Sequence, residues 1–233
     1  MTDSGPQRVT SGRRGRLPPP SEQPAYALAL LLIAAFVFEL LTGGPGRWGL
    51  SAQALRQGHV EALFTHMLSH GGFLHLFMNL TALWSLSAVV APRLGTGGRR
   101  WAAYGALFVL SGLAGGLMFL ALDPNGVTPM VGASGAICGL WGAASRMLPW
   151  EPSLLPMRAP SVRRNAWNFV VSNLVLFAII FGLVTVSGGG GGLAWQAHLG
   201  GYLFGLLASP WFVAKVEPED PARWTDGPWG RRA

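Results

Sequence analysis

The sequence predicts an all-α fold, a polytopic membrane bundle of six transmembrane helices. Three observations predict it. Half of the 233 residues are hydrophobic and only 12% are charged, against about 25% in an ordinary soluble domain. The charges crowd into short stretches between long apolar runs, and roughly 20 apolar residues suffice for one helix to cross a bilayer. With six spans, all but two of the 17 Lys and Arg residues fall on one side of the membrane; with five or seven spans that segregation collapses.

Each element follows in chain order. Residues 1–24 are polar, with Arg8, Arg13, Arg14, Arg16 and the run Pro18-Pro19-Pro20, and are expected to form a disordered tail. The first span, Ala25–Thr42, is too long for a signal peptide and shows no evident cleavage site, so it reads as a retained helix. The loop Gly43–Ser69 mixes Trp48, Leu50, Leu55, Val60 and Leu63 with polar residues. It is expected to be partly helical and to lie in the interface. The second span is Gly71–Val90 and the third Trp101–Leu122. Pro124, Asn125, Gly126 and Pro129 make the next connection rich in turns. The fourth span, Gly132–Leu148, is short. At about 1.5 Å per residue it does not reach both surfaces, and its start is expected below the outer surface, in a cavity. The fifth span is Trp167–Ser187, followed by five consecutive glycines, Gly188 to Gly192, a flexible outer loop. The sixth span is Ala194–Ala214. Residues 25–214 thus form one six-helix domain, and 215–233 a second tail.

Orientation comes from the basic residues. Arg8, Arg13, Arg14 and Arg16 precede the first span, and Arg93, Arg99 and Arg100 follow the second. Arg146, Arg158, Arg163 and Arg164 close the fourth, and Lys215, Arg223, Arg231 and Arg232 follow the sixth. Both termini are therefore expected to be cytoplasmic. Only Arg47 and Arg56 fall outside. The net charge of +7 is then a topology signal, and nucleic acid is not an expected partner. The one cysteine, Cys138, excludes an internal disulfide and a Cys-rich metal site. His66, His70 and His75 lack a clustered acid or second histidine motif, so no metal and no cofactor are expected.

Spans two, four and six all enter from the outer face under this topology. His70, His75 and Asn79 open the second, Ser134 opens the fourth and His198 opens the sixth. The buried polar groups thus share one depth on three helices. Polar residues inside a membrane are costly and mark function by default. Serine and histidine are the parts needed for nucleophilic acyl chemistry. Ser134 reads as the nucleophile, its backbone N–H offered to an oxyanion at a helix N-terminus. His75 and Asn79, four apart on one helical face, supply side-chain donors to the same spot. His70 reads as hydrogen-bonding or water-holding support. Gly135, Gly139 and Gly142, with Gly201 and Gly205, let backbones approach and bring His198 within reach of Ser134.

No acid is spaced to stand behind His198, so a Ser–His dyad is expected. The other polar residues have blander readings. Glu39 reads as a loop-anchoring or snorkelling residue. Asn173, placed on the inner side of span five, reads as an interhelical hydrogen bond. His66 reads as interfacial, His59 as solvated and Cys138 as a small core residue.

Three motifs carry a resemblance: His70-x4-His75-x3-Asn79, Gly132-Ala133-Ser134-Gly135, and Ala197-His198-x2-Gly201-x3-Gly205. In order and on these spans, they resemble the rhomboid family of intramembrane serine proteases. The resemblance covers roughly Ala25 to Ala214. It implies peptide-bond hydrolysis in or near the transmembrane segments of other membrane proteins. It implies Ser134 as nucleophile, His198 as general base and acid, and His75 and Asn79 at the oxyanion. It also implies that the outer end of the fifth span and its following loop move to admit substrate. Four positions, in three places, depart from the family pattern. Glu61-Ala62 stands where Trp-Arg is common, Cys138 where an aromatic is common, and Ala91 where an acid is common.

The expected partners are membrane-protein substrates and the lipid bilayer; the oligomeric state is left open. No organelle-targeting pattern is evident, and a bacterial plasma membrane is expected. A catalytically silent, client-binding rhomboid-like protein is the alternative; loss of Ser134 or His198 would mark it, and both are present. A transporter or channel would need ionisable residues continuing inward and inverted repeats, and the sequence shows neither.

Overall fold

The computed structural model describes residues 21–43, 48–148, 153–187 and 192–214. Expectations for residues 1–20, the glycines 188–191 and the tail 215–233 lie outside the described residues. Among the described residues, eight α-helices follow in order: α1 (Gln23–Thr42), α2 (Ala52–Arg56), α3 (Ala62–Thr65), α4 (Phe73–Val90), α5 (Gly97–Leu122), α6 (Ser134–Ala144), α7 (Pro160–Ser187) and α8 (Trp195–Phe212). A short 3-10 turn, Ala91–Leu94, ends α4. The two small helices α2 and α3 occupy the first loop, which is partly helical as its mixed composition predicts.

The ends of α1 show why a helix starts and stops there. Pro24 stands in its first turn, where a missing N–H costs nothing. Gly43 closes it in the left-handed region, φ +116°, its N–H donating to the carbonyl of Glu39, a cap that glycine adopts without a Cβ penalty. Along its length α1 is apolar on every side, and Leu30, Phe38 and Leu41 are exposed. In water such a face would be untenable; in a bilayer it is the solvated one.

Among the described residues, four helices are long and apolar enough to cross a membrane: α1, α4 with its 3-10 turn, α5 and α7. The protein is an all-helical integral membrane bundle. The two remaining expected spans are α6 and α8. α6 has 11 residues, shorter than the sequence boundaries suggest. α8 has 18, but Gln196, His198 and its glycines dilute its apolar character.

α6 is the centre of the bundle, with eight of its 11 residues buried. It packs against α8, α5 and α4. Glycine makes that possible. A Cβ on Gly201 would strike the carbonyl of Gly135, and one on Gly205 the carbonyl of Gly139; one on Gly142 would strike that of Tyr202. A Cβ on Gly115 of α5 would stand 2.6 Å from the carbonyl oxygen of Ala197. Backbone therefore lies directly on backbone where α5, α6 and α8 meet, the contact that small residues allow when lipid supplies no hydrophobic drive.

Hydrogen bonds define the two ends of the bundle. At one end, Leu50 and Met130 exchange a pair of backbone bonds of 2.8 Å each, fastening the first loop to the segment before α6. At the other, Arg93 donates to the carbonyl of Leu148 at 3.0 Å and Arg99 to that of Phe212 at 3.2 Å. The second end gathers the last residues of α4, α6 and α8 with the first of α5.

Candidate active site

Ser134 is the first residue of α6. The first intrahelical bond near it is Ile137 N–H to the carbonyl of Ala133, at 2.9 Å. The N–H groups of Ser134, Gly135 and Ala136 therefore precede that ladder, at the positive end of the helix dipole. The turn into α6 is held by Gly132, φ +121°, whose N–H donates to the carbonyl of His66 at 2.8 Å.

His198 stands one turn into α8 and is buried. Its Nε2 lies 2.7 Å from Ser134 Oγ, so the close α6–α8 packing brings these two expected residues into hydrogen-bond contact. Its Nδ1 lies 2.6 Å from Asn173 Oδ1 on α7. Asn173 Nδ2 donates to the carbonyl of Phe169 at 2.9 Å. This last bond settles the protons. A carbonyl accepts only, so the amide nitrogen must face Phe169 and the amide oxygen must face His198. An amide oxygen also accepts only, so Nδ1 carries the imidazole proton. Nε2 then has a free lone pair, and Ser134 O–H donates to it. The arrangement is able to draw a proton from the Ser134 hydroxyl.

The group behind His198 is not an acid. The partner is an amide, and searching for an acid overlooks it. Asn173 does make an interhelical hydrogen bond, as the sequence reading has it, but it meets His198 at the depth of the site rather than on the inner side. The signal was present, because an amide in mid-span is costly unless paired.

His75 and Asn79 lie on one face of α4, four residues apart. His75 Nδ1 accepts from the N–H of Gly71 at 3.2 Å, so its proton is on Nε2 and points elsewhere. An atom at the Cβ position of Gly132 would lie 2.8 Å from His75 Nε2 and 3.7 Å from Ser134 Oγ. The space above Gly132 is therefore flanked by the His75 donor and the Ser134 hydroxyl. Asn79 is buried. Its amide donates to the carbonyl of His75 at 2.9 Å, one of two protons that the amide carries.

His70 is fully buried. Its Nδ1 lies 3.2 Å from the carbonyl of Leu68, and its ring meets His75 edge-on, centroids 5.3 Å apart. Its Nε2 is buried without a hydrogen-bond partner. Glu39, from α1, reaches this corner: it accepts from the Ser69 hydroxyl and, at 3.1 Å, from the N–H of His70. Its carboxylate anchors the entrance to α4, as one of its two sequence readings has it, and the side chain is buried rather than snorkelling.

His66 is buried too, not interfacial. Its Nδ1 donates to the carbonyl of Ala62 at 2.8 Å. The ring fits because Gly116 of α5 lacks a side chain: a Cβ there would stand 3.5 Å from His66 Cε1 and 2.9 Å from Leu50. His59 is exposed and pairs with Glu61 at 3.1 Å. Both lie in the first loop, and the main-chain hydrogen bond of Glu61, then His59, hold its carboxyl below the usual carboxylate range. Cys138 is buried among Phe169, Tyr202 and Leu206, a small core residue as expected. Among the described residues, no group of three His, Cys, Asp or Glu side chains is placed to hold a metal.

A helical membrane bundle with a hydrogen-bonded serine and histidine at the start of two closely packed helices defines a narrow class of protein. A sequence model of the rhomboid domain matches residues 57–215, and the chain belongs to the rhomboid family. It is 36% identical over 170 residues to RHOMBOID-like protein 5 of Arabidopsis thaliana, covering 73% of this chain and 49% of that one. It is 32% identical over 152 residues to the mitochondrial Rhomboid protein 1 of Saccharomyces cerevisiae, covering 64% and 40%. To the rhomboid protease GluP of Bacillus subtilis it is 26% identical over 188 residues, covering 78% and 33%. The chain thus spans half or less of the length of these relatives.

Proposed function

We propose that the protein is an intramembrane serine endopeptidase that cleaves membrane proteins in or beside a transmembrane segment. The observation that carries the reading is the 2.7 Å contact between Ser134 Oγ and His198 Nε2. With Nδ1 protonated, His198 takes the proton as Ser134 attacks the scissile carbonyl, then returns it to the leaving amine. The developing oxyanion lies by the N-terminus of α6, near the Ser134 N–H, His75 Nε2–H and the Asn79 amide. Donors fixed in place before reaction are worth most where water is scarce. His70, buried with one free ring nitrogen, is suited to hold a water. Water then releases the acyl group from Ser134 by the same proton route in reverse.

The named relatives include a rhomboid protease, which supports the reaction class. The proposed catalytic domain is residues 25–214, flanked by tails 1–24 and 215–233, with six spans and both termini cytoplasmic. The membrane proposed is a bacterial plasma membrane. Plant and mitochondrial relatives match as well. The substrate is a membrane protein, and no cofactor is required by this proton route.

The test is cleavage of model transmembrane substrates by purified protein in bilayers. Wild type is expected to cleave, and Ser134→Ala and His198→Ala to fall to background. Equal cleavage by Ser134→Ala sinks the reading. Failure of wild type across a substrate panel supports a silent client-binding protein instead.

A further inference from the structure

α7 is the least embedded long helix of the bundle. Its buried side chains, Val162 and Phe169, both lie in its first half. Phe169 stacks on Tyr202 of α8 with ring centroids 3.9 Å apart, and meets Trp141 of α6 edge-on at 5.4 Å. Beyond Phe169, no described residue of α7 is buried, and Leu174, Phe181 and Leu183 are exposed. Asn173 follows Phe169 by one turn, on the same face. Its bond to His198 therefore sits at the boundary between the packed and unpacked halves of the helix.

The chemistry of that bond is directional. Imidazole chooses between two tautomers of similar energy, and the hydrogen bond at one nitrogen decides the other. The tautomer able to accept the Ser134 proton is the one with hydrogen on Nδ1. Asn173 Oδ1 selects it, and Asn173 itself is held by its donation to Phe169. We infer that Asn173 is the positioning residue of this site: seated by α7, it fixes the tautomer and aim of His198, so that Ser134 is activated only while α7 is docked. The inference rests on the Ser134–His198 reading above and adds its dependence on a peripheral helix. It gives α7 a chemical stake in the site, because a displacement that draws Phe169 off Tyr202 also withdraws Oδ1 from Nδ1.

The test uses the full chain in bilayer discs with 15N-labelled histidine. Nitrogen shifts report the tautomer of His198, and a fluorophosphonate probe with substrate cleavage reports Ser134. Asn173→Leu keeps the branched shape at Cγ and removes the acceptor. It is expected to let the Nε2–H tautomer appear, and to lower kcat by about 10²-fold with little change in KM, the scale of a misaligned catalytic group. Asn173→Asp keeps an acceptor for Nδ1 but gives up the donation to Phe169, and is expected to return the Nδ1–H tautomer relative to Asn173→Leu. Phe169→Ala, which loosens α7, shifts the tautomer in the wild-type background and adds little in Asn173→Leu. An unchanged tautomer and kcat in Asn173→Leu overturn the inference, as do fully additive effects of Phe169→Ala and Asn173→Leu. If the tautomer responds but wild type neither labels nor cleaves, the positioning stands and the protease reading fails.

Discussion

Gly132 shows how one residue without a side chain defines a reaction space. Its φ of +121° is a conformation that side-chain-bearing residues rarely adopt. Its missing Cβ leaves open the position 2.8 Å from His75 Nε2, where a substrate oxygen is proposed to gather its donors. Gly132→Ala both strains the turn into α6 and fills that space. We expect kcat/KM to fall by about 10²-fold or more, the usual loss when an oxyanion donor is blocked. Gly71→Ala is the control: a Cβ there lies in ordinary contact, 3.7 Å from His75, and activity should stay within a few-fold. Equal activity of Gly132→Ala and wild type would remove the oxyanion role from this space. The glycine's place in a Gly-x-Ser-Gly string is legible in the sequence, and so is the approach of His198 to Ser134; His75 and Asn79 read there as oxyanion donors, the role proposed for them above. Asn173 was not legible as a site residue. Its depth was counted from Trp167, whereas the helix begins at Pro160. A 28-residue helix is about 42 Å long against a hydrocarbon core of about 30 Å. Depth cannot be counted along such a helix without knowing its tilt.

Helices reach the site only as closely as their glycines permit. The spacing of Gly201 and Gly205 predicted close approach to α6, and the carbonyls of Gly135 and Gly139 lie where their side chains would be. Gly205→Leu cannot be absorbed by a side-chain rotation, because the obstructing atoms are backbone. It is expected to destabilise the bundle by about 3 kcal/mol, the upper range for overpacking, and to separate His198 from Ser134. Thermal unfolding and fluorophosphonate labelling should fall together. Full labelling at wild-type rate would show that the α6–α8 contact does not set the pair's distance. The same reasoning explains what the sequence concealed about His66. An amphiphilic ring in a loop reads as interfacial until Gly116, 50 positions later in the chain, supplies a recess. Contacts of that separation follow from how the loop folds back over α5, which no local pattern encodes.

The distribution of charge over the bundle ties topology to helix ends. Arg93 donates to the carbonyl of Leu148, Arg99 to those of Leu94, Phe212 and Val213, and Arg146 to those of Leu155 and Leu206. Arg100 Nε donates to the carbonyl of Gly95 at 2.7 Å. Arg99 and Arg100 cap carbonyls left over where the 3-10 turn after α4 and, for Arg99, α8 end, while Arg93 and Arg146 hold the segment that follows α6. Ser134, Glu39 and the Leu50–Met130 bridge lie at the opposite end, with Arg56 bound to the carbonyl of Pro124. The positive-inside rule supports the proposed orientation, in which the arginine-rich end would face the cytoplasm and the serine would open outward. Single cysteines test it, with Cys138 left in place as a buried control. Gln57→Cys is exposed in the first loop, and Gly98→Cys is exposed at the arginine-rich end with no atom near its Cβ. In intact cells a membrane-impermeant maleimide should label Gln57→Cys and spare Gly98→Cys until the membrane is permeabilised. The reverse pattern would invert the topology and put the candidate site on the cytoplasmic side. Labelling of both from outside would break the six-span count, since it would place the first loop and the α4–α5 connection on one side.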